Sequence, residues 1–257
     1  MRLAALGLTL AAAMTATTAG AHSPYLLPST FDATGRDHIT VQGSFAEHFF
    51  QPEVVMKADD YHVIGPDGAK TAVSPTYLRD LTVFETATAA NGTYRITTGT
   101  RAGRVSKAHL VKGEWVFLEP DKPIPAGVNA VDMQSITRAE VYVSKGAPSD
   151  GALAPIGKGI EFHALTNPNA LFVGQKAEFE VLLNGKPLPR QVIELHRADE
   201  AYLGTKGREI VSDANGRFSL SMPAAGLYHA MTRYRIDAAP GAPAQSLTYA
   251  LTFDVTE

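Results

Sequence analysis

The chain has no cysteine among its 257 residues. That single absence excludes a disulfide scaffold, a thiolate metal site, a cysteine nucleophile and a lipidated bacterial anchor. Long apolar runs are missing too: a bilayer-spanning helix takes roughly 20 residues, the apolar stretch from Leu3 to Met14 is shorter, and no later segment reaches that length without charge or proline. Positive charge is not in excess, with 23 Lys+Arg against 26 Asp+Glu and a formal net of -3, so nothing recommends nucleic acid as a partner. Enzyme signatures are also absent. There is no Gly-x-Ser-x-Gly turn, no His-Glu-x-x-His helix, no phosphate loop and no dinucleotide fingerprint. The pair Asp59-Asp60 reads as a solvated loop, because a calcium cage wants about six to eight oxygen ligands. Arg101 to Lys107 reads as a wet face, and no stretch sustains a helical period.

What is present begins with an export signal. Arg2 is followed by an apolar stretch from Leu3 to Met14 and by small residues ending Ala19-Gly20-Ala21, the charged, apolar, small-residue order of a secretory signal. Ala19 and Ala21 place the cut before His22; a cut after Ala19 is the alternative. Removing residues 1–21 takes away Arg2 and leaves 22 Lys+Arg against 26 Asp+Glu, a net of -4. About 236 residues remain, enough for one large β domain or two ordinary ones. The simplest compartment is the periplasm of a Gram-negative bacterium, with full secretion left open.

Period-two alternation between turn signals then recurs along the chain, which predicts an all-β fold of two antiparallel β-sandwich-like domains. In the first half, Ile39, Val41, Gly43 and Phe45 share a face; Tyr61 to Ile64 runs into Gly65-Pro66-Asp67-Gly68; Asn91-Gly92 precedes a strand to Thr97; and Lys112-Gly113 marks a hairpin turn. Gly146 to Gly159 carries Gly, Pro, Ala and Ser without strand pattern and reads as a linker. The expected domains are therefore 22–148 and 156–257. In the second, Asn184-Gly185 and Asp213-Ala-Asn-Gly216 are turns, and Leu247, Tyr249, Leu251, Phe253 and Val255 share one face of the last strand. Gly92-Thr-Tyr94 and Gly226-Leu-Tyr228 echo each other, and packing is the cheaper explanation of both tyrosines.

The eight histidines carry what chemistry the sequence offers. A terminal His22 would present an α-amine, of ordinary pKa about 8, together with its own imidazole, so one residue can chelate a metal through two nitrogens. Cu, Ni, Co and Zn all suit such donors. The alternative amino-terminal motif, with histidine third, is absent because Ser23 and Pro24 follow. Among the rest, Asp60 and His62 fall on one face by the two-residue period, either as two ligands or as a ligand and the group that orients it. His48, beside Glu47 at a strand end, and His109 complete the candidate metal set. His38, His163, His196 and His229 read first as structural strand residues.

Several segments together resemble a known family: Ala21-His22-Ser-Pro-Tyr-Leu-Leu-Pro28, Phe45-Ala-Glu-His-Phe-Phe-Gln-Pro-Glu53, Asp59-Asp-Tyr-His-Val-Ile-Gly-Pro-Asp-Gly68 and Asn91-Gly-Thr-Tyr-Arg-Ile-Thr-Thr-Gly99. The likeness continues through Ala139-Glu-Val-Tyr-Val143 and Gly185-Lys-Pro-Leu-Pro189 to Leu247-Thr-Tyr-Ala-Leu-Thr-Phe253. It is to periplasmic proteins described as components of cobalt or nickel uptake, whose shared domain has no other assigned function. Separately, Asp213-x-x-Gly216-x-Phe218-x-Leu220-x-x-Pro223-x-x-Gly226-x-Tyr228 resembles transthyretin-like or carboxypeptidase-regulatory-like sandwiches, which speaks to fold alone. The family resemblance implies a periplasmic, non-inserted protein that binds a divalent transition metal and serves a membrane metal transporter or outer-membrane receptor, with the Ala-His start carried onto Ala21 and His22. Two alternatives stay open: an interaction module of an envelope complex, and a copper oxygenase built on an amino-terminal histidine brace.

Overall fold

Turn chemistry divides the chain into short strands. The computed structural model describes residues 22–111, 114–119 and 122–257, so the signal segment at 1–21 and the Lys112-Gly113 turn lie outside the described residues. The first half comprises β1 (Ser23–Pro28), β2 (His38–Ala46), β3 (Val54–Val55), β4 (His62–Ile64), β5 (Lys70–Ala72), β6 (Thr76–Tyr77), β7 (Thr82–Ala87), β8 (Gly92–Thr97), β9 (Arg101–Val111), β10 (Glu114–Phe117) and β11 (Val131–Lys145). The second comprises β12 (Ile160–Ala164), β13 (Lys176–Leu183), β14 (Lys186–Pro187), β15 (Val192–Arg197), β16 (Arg208–Val211), β17 (Arg217–Ser221), β18 (Gly226–Ile236) and β19 (Ala244–Val255). The expected all-β class holds, with one short helix among the described residues, α1 (Ala198–Tyr202), after β15.

These strands form three sheets. A five-stranded sheet runs β1-β2-β7-β6, with β3 also on β2; a four-stranded one runs β12-β13-β14, with β17 on β13. Between them lies a ten-stranded sheet, β16-β15-β18-β19-β11-β8-β4-β5, with the β9–β10 hairpin joined to β11. This shared sheet draws on both halves. Its seam is the pair β11–β19, which is parallel, Ile136 facing Leu247 and Val141 facing Thr252, while the pairs flanking it are antiparallel.

Because successive side chains point to opposite faces, the seam feeds two cores. Ala139, Val141 and Val143 of β11 join Leu26, Ile39, Val41, Phe84, Val63 and Ile96 beneath the first sheet. Tyr142 points the other way, into a core with Phe162, Phe179, Phe218, Tyr228 and the whole apolar face of β19, from Leu247 to Val255. The first and third sheets therefore cover opposite faces of the shared sheet. Each half is also pinned by the same device. Tyr94 donates its hydroxyl hydrogen to Ala90 O at 2.7 Å and Tyr228 donates to Ala224 O at 2.8 Å, both four residues upstream, as in the tyrosine corner of sandwiches.

The segment between the halves has no strand, as its composition indicates, yet it is tied down. Ala152 and Leu153 are buried, and Ala154 O accepts from Arg95 Nη1 at 3.0 Å. Gly151 sits so tightly on the β4–β5 turn that a Cβ there would lie 1.8 Å from Pro66 O. Only glycine permits that approach.

Candidate functional site

β1 is the edge strand of the first sheet, and it lies over β11 and β19 of the shared sheet. Its amino end carries His22. The His22 Nε2 lies 2.9 Å from Glu53 Oε2, with both side chains about a third or more exposed. Glu53 is itself positioned, since its Oε1 accepts the Glu47 N–H at 2.9 Å. With Nε2 engaged by a carboxylate, the other ring nitrogen of His22 is the one left for a ligand.

Two residues along, β1 meets the histidines of the other half. The registers put Val141, Thr252, His229 and His196 opposite one another across β11, β19, β18 and β15. Since Leu195 and Ala230 point into the second core, this row faces β1. His229 is 1% exposed and its Nε2 contacts Pro24 O at 2.9 Å, which makes Nε2 the protonated nitrogen, because a carbonyl can only accept. Burial pushes the His229 imidazole down to about 4, so the ring is neutral near pH 7. Phe49, from the β2–β3 loop, stacks on His229 at 3.9 Å and tilts against His196 at 5.4 Å. Phe50 beside it meets the ring of Tyr25 edge-on at 5.0 Å. Burial, with help from Glu53, pushes the Tyr25 phenol up.

The five residues singled out for metal binding fall in separate places. Asp60 and His62 do come together: His62 Nδ1 contacts Asp60 O at 2.6 Å and Asp60 Oδ1 at 3.4 Å. His62 is buried in β4, which pulls its imidazole down, and the Asp60 carboxylate is held below its usual range chiefly by a hydrogen bond from Lys70 Nζ at 2.8 Å. His22 belongs to the first sheet and pairs with Glu53 instead. His48 is exposed in the β2–β3 loop beside Phe49. His109 is half-buried on β9, opposite Val116 of β10. Among the described residues, no three His, Asp or Glu side chains converge as a metal-ion group.

Sequence patterning missed a second polar assembly. Arg95 donates through Nε to Glu140 Oε2 at 2.8 Å, and its Nη2 lies 2.6 Å from the same oxygen. Tyr249 donates to that oxygen at 2.7 Å, while Glu161 lies 3.5 Å from Arg95 and 3.7 Å from Arg138 and accepts the Ile156 and Gly157 N–H groups. All four charged residues are buried. In the sequence they occupy the polar phase of alternating strands, and only a second covering layer reveals them as core.

The architecture is thus that of an all-β protein of sandwich layers sharing a central sheet. The chain belongs to the DUF4198 family, a domain of unknown function whose model matches residues 19–236. No curated protein matches it. Among solved structures, the D0-D1 domain of intimin is similar over 90% of this chain and 97% of its own, at 11% identity and a TM-score of 0.23. A DUF4785 family protein from Legionella pneumophila is similar over 81% of this chain and 50% of its own, at 9% identity and TM-score 0.25. The Yersinia pseudotuberculosis adhesin InvE is similar over 91% and 60%, at 15% identity and TM-score 0.21. Likenesses this distant carry no argument about fold or function. Among the described residues no helix is long and apolar enough to cross a membrane.

Proposed function

We propose that this is an exported protein that captures a divalent transition-metal ion, of the Ni, Co, Cu or Zn class, at its processed amino terminus and passes it to a membrane transporter or receptor. The observation that carries the reading is the His22–Glu53 contact of 2.9 Å. It commits Nε2 to a carboxylate and leaves Nδ1 free to close a chelate ring with the α-amine that cleavage before His22 creates. A carboxylate behind an imidazole is the usual arrangement for fixing the ring and raising its basicity.

The test uses processed protein whose amino terminus is verified by intact mass, dialysed against Ni²⁺ and then against buffer. Retained nickel is expected in the wild type and lost in His22→Ala and in a chain extended by one amino-terminal residue. Glu53→Gln should weaken retention roughly tenfold or more. Equal nickel in all four proteins removes the proposal.

A second reading, an interaction module of an envelope complex, is favoured by the β9–β10 hairpin. Val105, Leu110, Val111 and Phe117 are all at least 41% exposed there, and exposed apolar side chains gathered on one element are the kind of surface a partner covers. Metal-free protein would then keep its partner binding unchanged.

A further inference from the structure

The row across the shared sheet leaves several buried polar atoms unpaired. His229 and His196 are directly opposed on adjacent antiparallel strands, where Cβ atoms lie about 4.5–5.5 Å apart and side chains meet. Each ring turns Nε2 toward an oxygen: His229 to Pro24 O at 2.9 Å, His196 toward Glu194 Oε2 at 3.9 Å. In each ring Nδ1 is shut away from solvent without a hydrogen-bond partner, and so is Thr252 Oγ1, the next group in the row. On His229 the proton belongs to Nε2, so its Nδ1 carries a buried lone pair facing nothing that donates. Native proteins satisfy the great majority of buried polar atoms. His229 is held through Nε2 and His196 has a carboxylate near its own Nε2; with both Nδ1 atoms unused, the neighbouring rings lack a shared electron-poor partner.

We infer that His196 and His229 form a bis-imidazole site for one transition-metal ion, bound through the two Nδ1 atoms beneath Phe49. An Nε2–H held by a carbonyl or carboxylate is how metal-ligating histidines are oriented, and Zn, Cu and Ni accept imidazole nitrogen readily. Thr252 Oγ1 supplies an oxygen donor in the same row, and water completes the coordination. Phe49 roofs the site, so the β2–β3 loop that positions Glu53 is also what a metal must pass. Gly207 makes room for it: a Cβ at that position would lie 2.4 Å from His196 Nε2. This inner site goes beyond the amino-terminal chelate and shares no ligand with it.

Zn²⁺ is the probe, added to the full processed chain carrying His22→Ala so that the outer chelate is silent. Long-range ¹H–¹⁵N spectra of the rings are expected to show the Nε2–H tautomer for His229 before metal, then a displacement of both Nδ1 resonances that saturates at one ion per chain. H196Q/H229Q on the same background should bind no Zn²⁺. Gly207→Ala keeps every ligand but crowds His196, and should weaken Zn²⁺ binding at least tenfold. Unmoved Nδ1 resonances at saturating Zn²⁺, or equal binding with and without the two histidines, overturn the inference. Should the double variant fail to fold, the resonances and Gly207→Ala still decide. The two proposals fail separately: loss of the outer chelate leaves these resonances responsive, and a silent inner pair leaves the dependence on His22 intact.

Discussion

The shared sheet buries titratable groups on both faces, and the two faces treat them differently. On the second-core side, Arg95, Arg138, Glu140 and Glu161 set two cations against two anions, and a tyrosine hydroxyl and backbone N–H groups fill in around them. Arg95 Nη2, Arg138 Nε and Nη1, Glu140 Oε1 and the Tyr142 hydroxyl are without a hydrogen bond even there, but the charges offset one another. On the β1 side, His196 and His229 set two buried, unpartnered ring nitrogens side by side, and that of His229 is an acceptor. A cluster whose charges balance needs no added ion, and its role is to join the halves. A cluster with surplus lone pairs is complete only with a cation from outside.

The largest test of that contrast lies in the compensated cluster. Glu140→Ala strands the Arg95 guanidinium in the core and should cost about 3–5 kcal/mol, read from denaturant midpoints. A loss below about 1 kcal/mol would mean that the arginine finds water or another partner.

Acid should separate the two faces next. In metal-free protein His229 is neutral in the fold, pushed down to about 4, chiefly by burial, whereas in the unfolded chain it titrates near its ordinary value of about 6.5. The unfolded state therefore takes up the proton first as pH falls. The stability that goes with a neutral His229 is whole above about pH 6.5 and drains away towards pH 4, by about 3 kcal/mol in all. His229→Phe should flatten that slope. Glu140, held below its usual range by Arg95 against the opposing effect of burial, keeps its contribution through this window and loses it only at lower pH. A wild-type curve flat from pH 7 to 4 would mean that His229 finds solvent or a counter-charge.

The smallest effect calibrates the two halves against each other. Tyr228→Phe removes one hydrogen bond and should cost about 1 kcal/mol. Tyr94→Phe should cost somewhat more, because the Tyr94 hydroxyl also accepts the Ala90 N–H at 2.8 Å.

Much of the fold was legible because a strand with one dry face writes period two into the sequence. The last strand shows this best: the five residues on its patterned face all enter the second core. Turns were legible for a local reason, as at Asn184-Gly185, where both residues take positive φ, 51° and 74°, which Asn and Gly tolerate. The shared sheet was not legible. Every residue of β8 is buried, so its alternation of Tyr94 and Ile96 with Arg95 and Thr97 marks two different interiors, not core and solvent. The site divided in the same way. His62 and Asp60 are near in sequence and their meeting could be read off; His196 and His229 are brought together by a strand pairing, and His229 reaches Pro24 across 205 residues, which no local pattern encodes.

The seam between the halves also governs the order in which the molecule can be completed. β11 finds its parallel partner only in β19, roughly a hundred residues downstream, and contacts so distant in sequence form late. Until the chain's last strand arrives, the first half keeps a long unpaired flank of backbone donors and acceptors, the kind of flank that recruits stray strands. The opening segments therefore wait on β19, and removing that one strand would leave both halves unsealed.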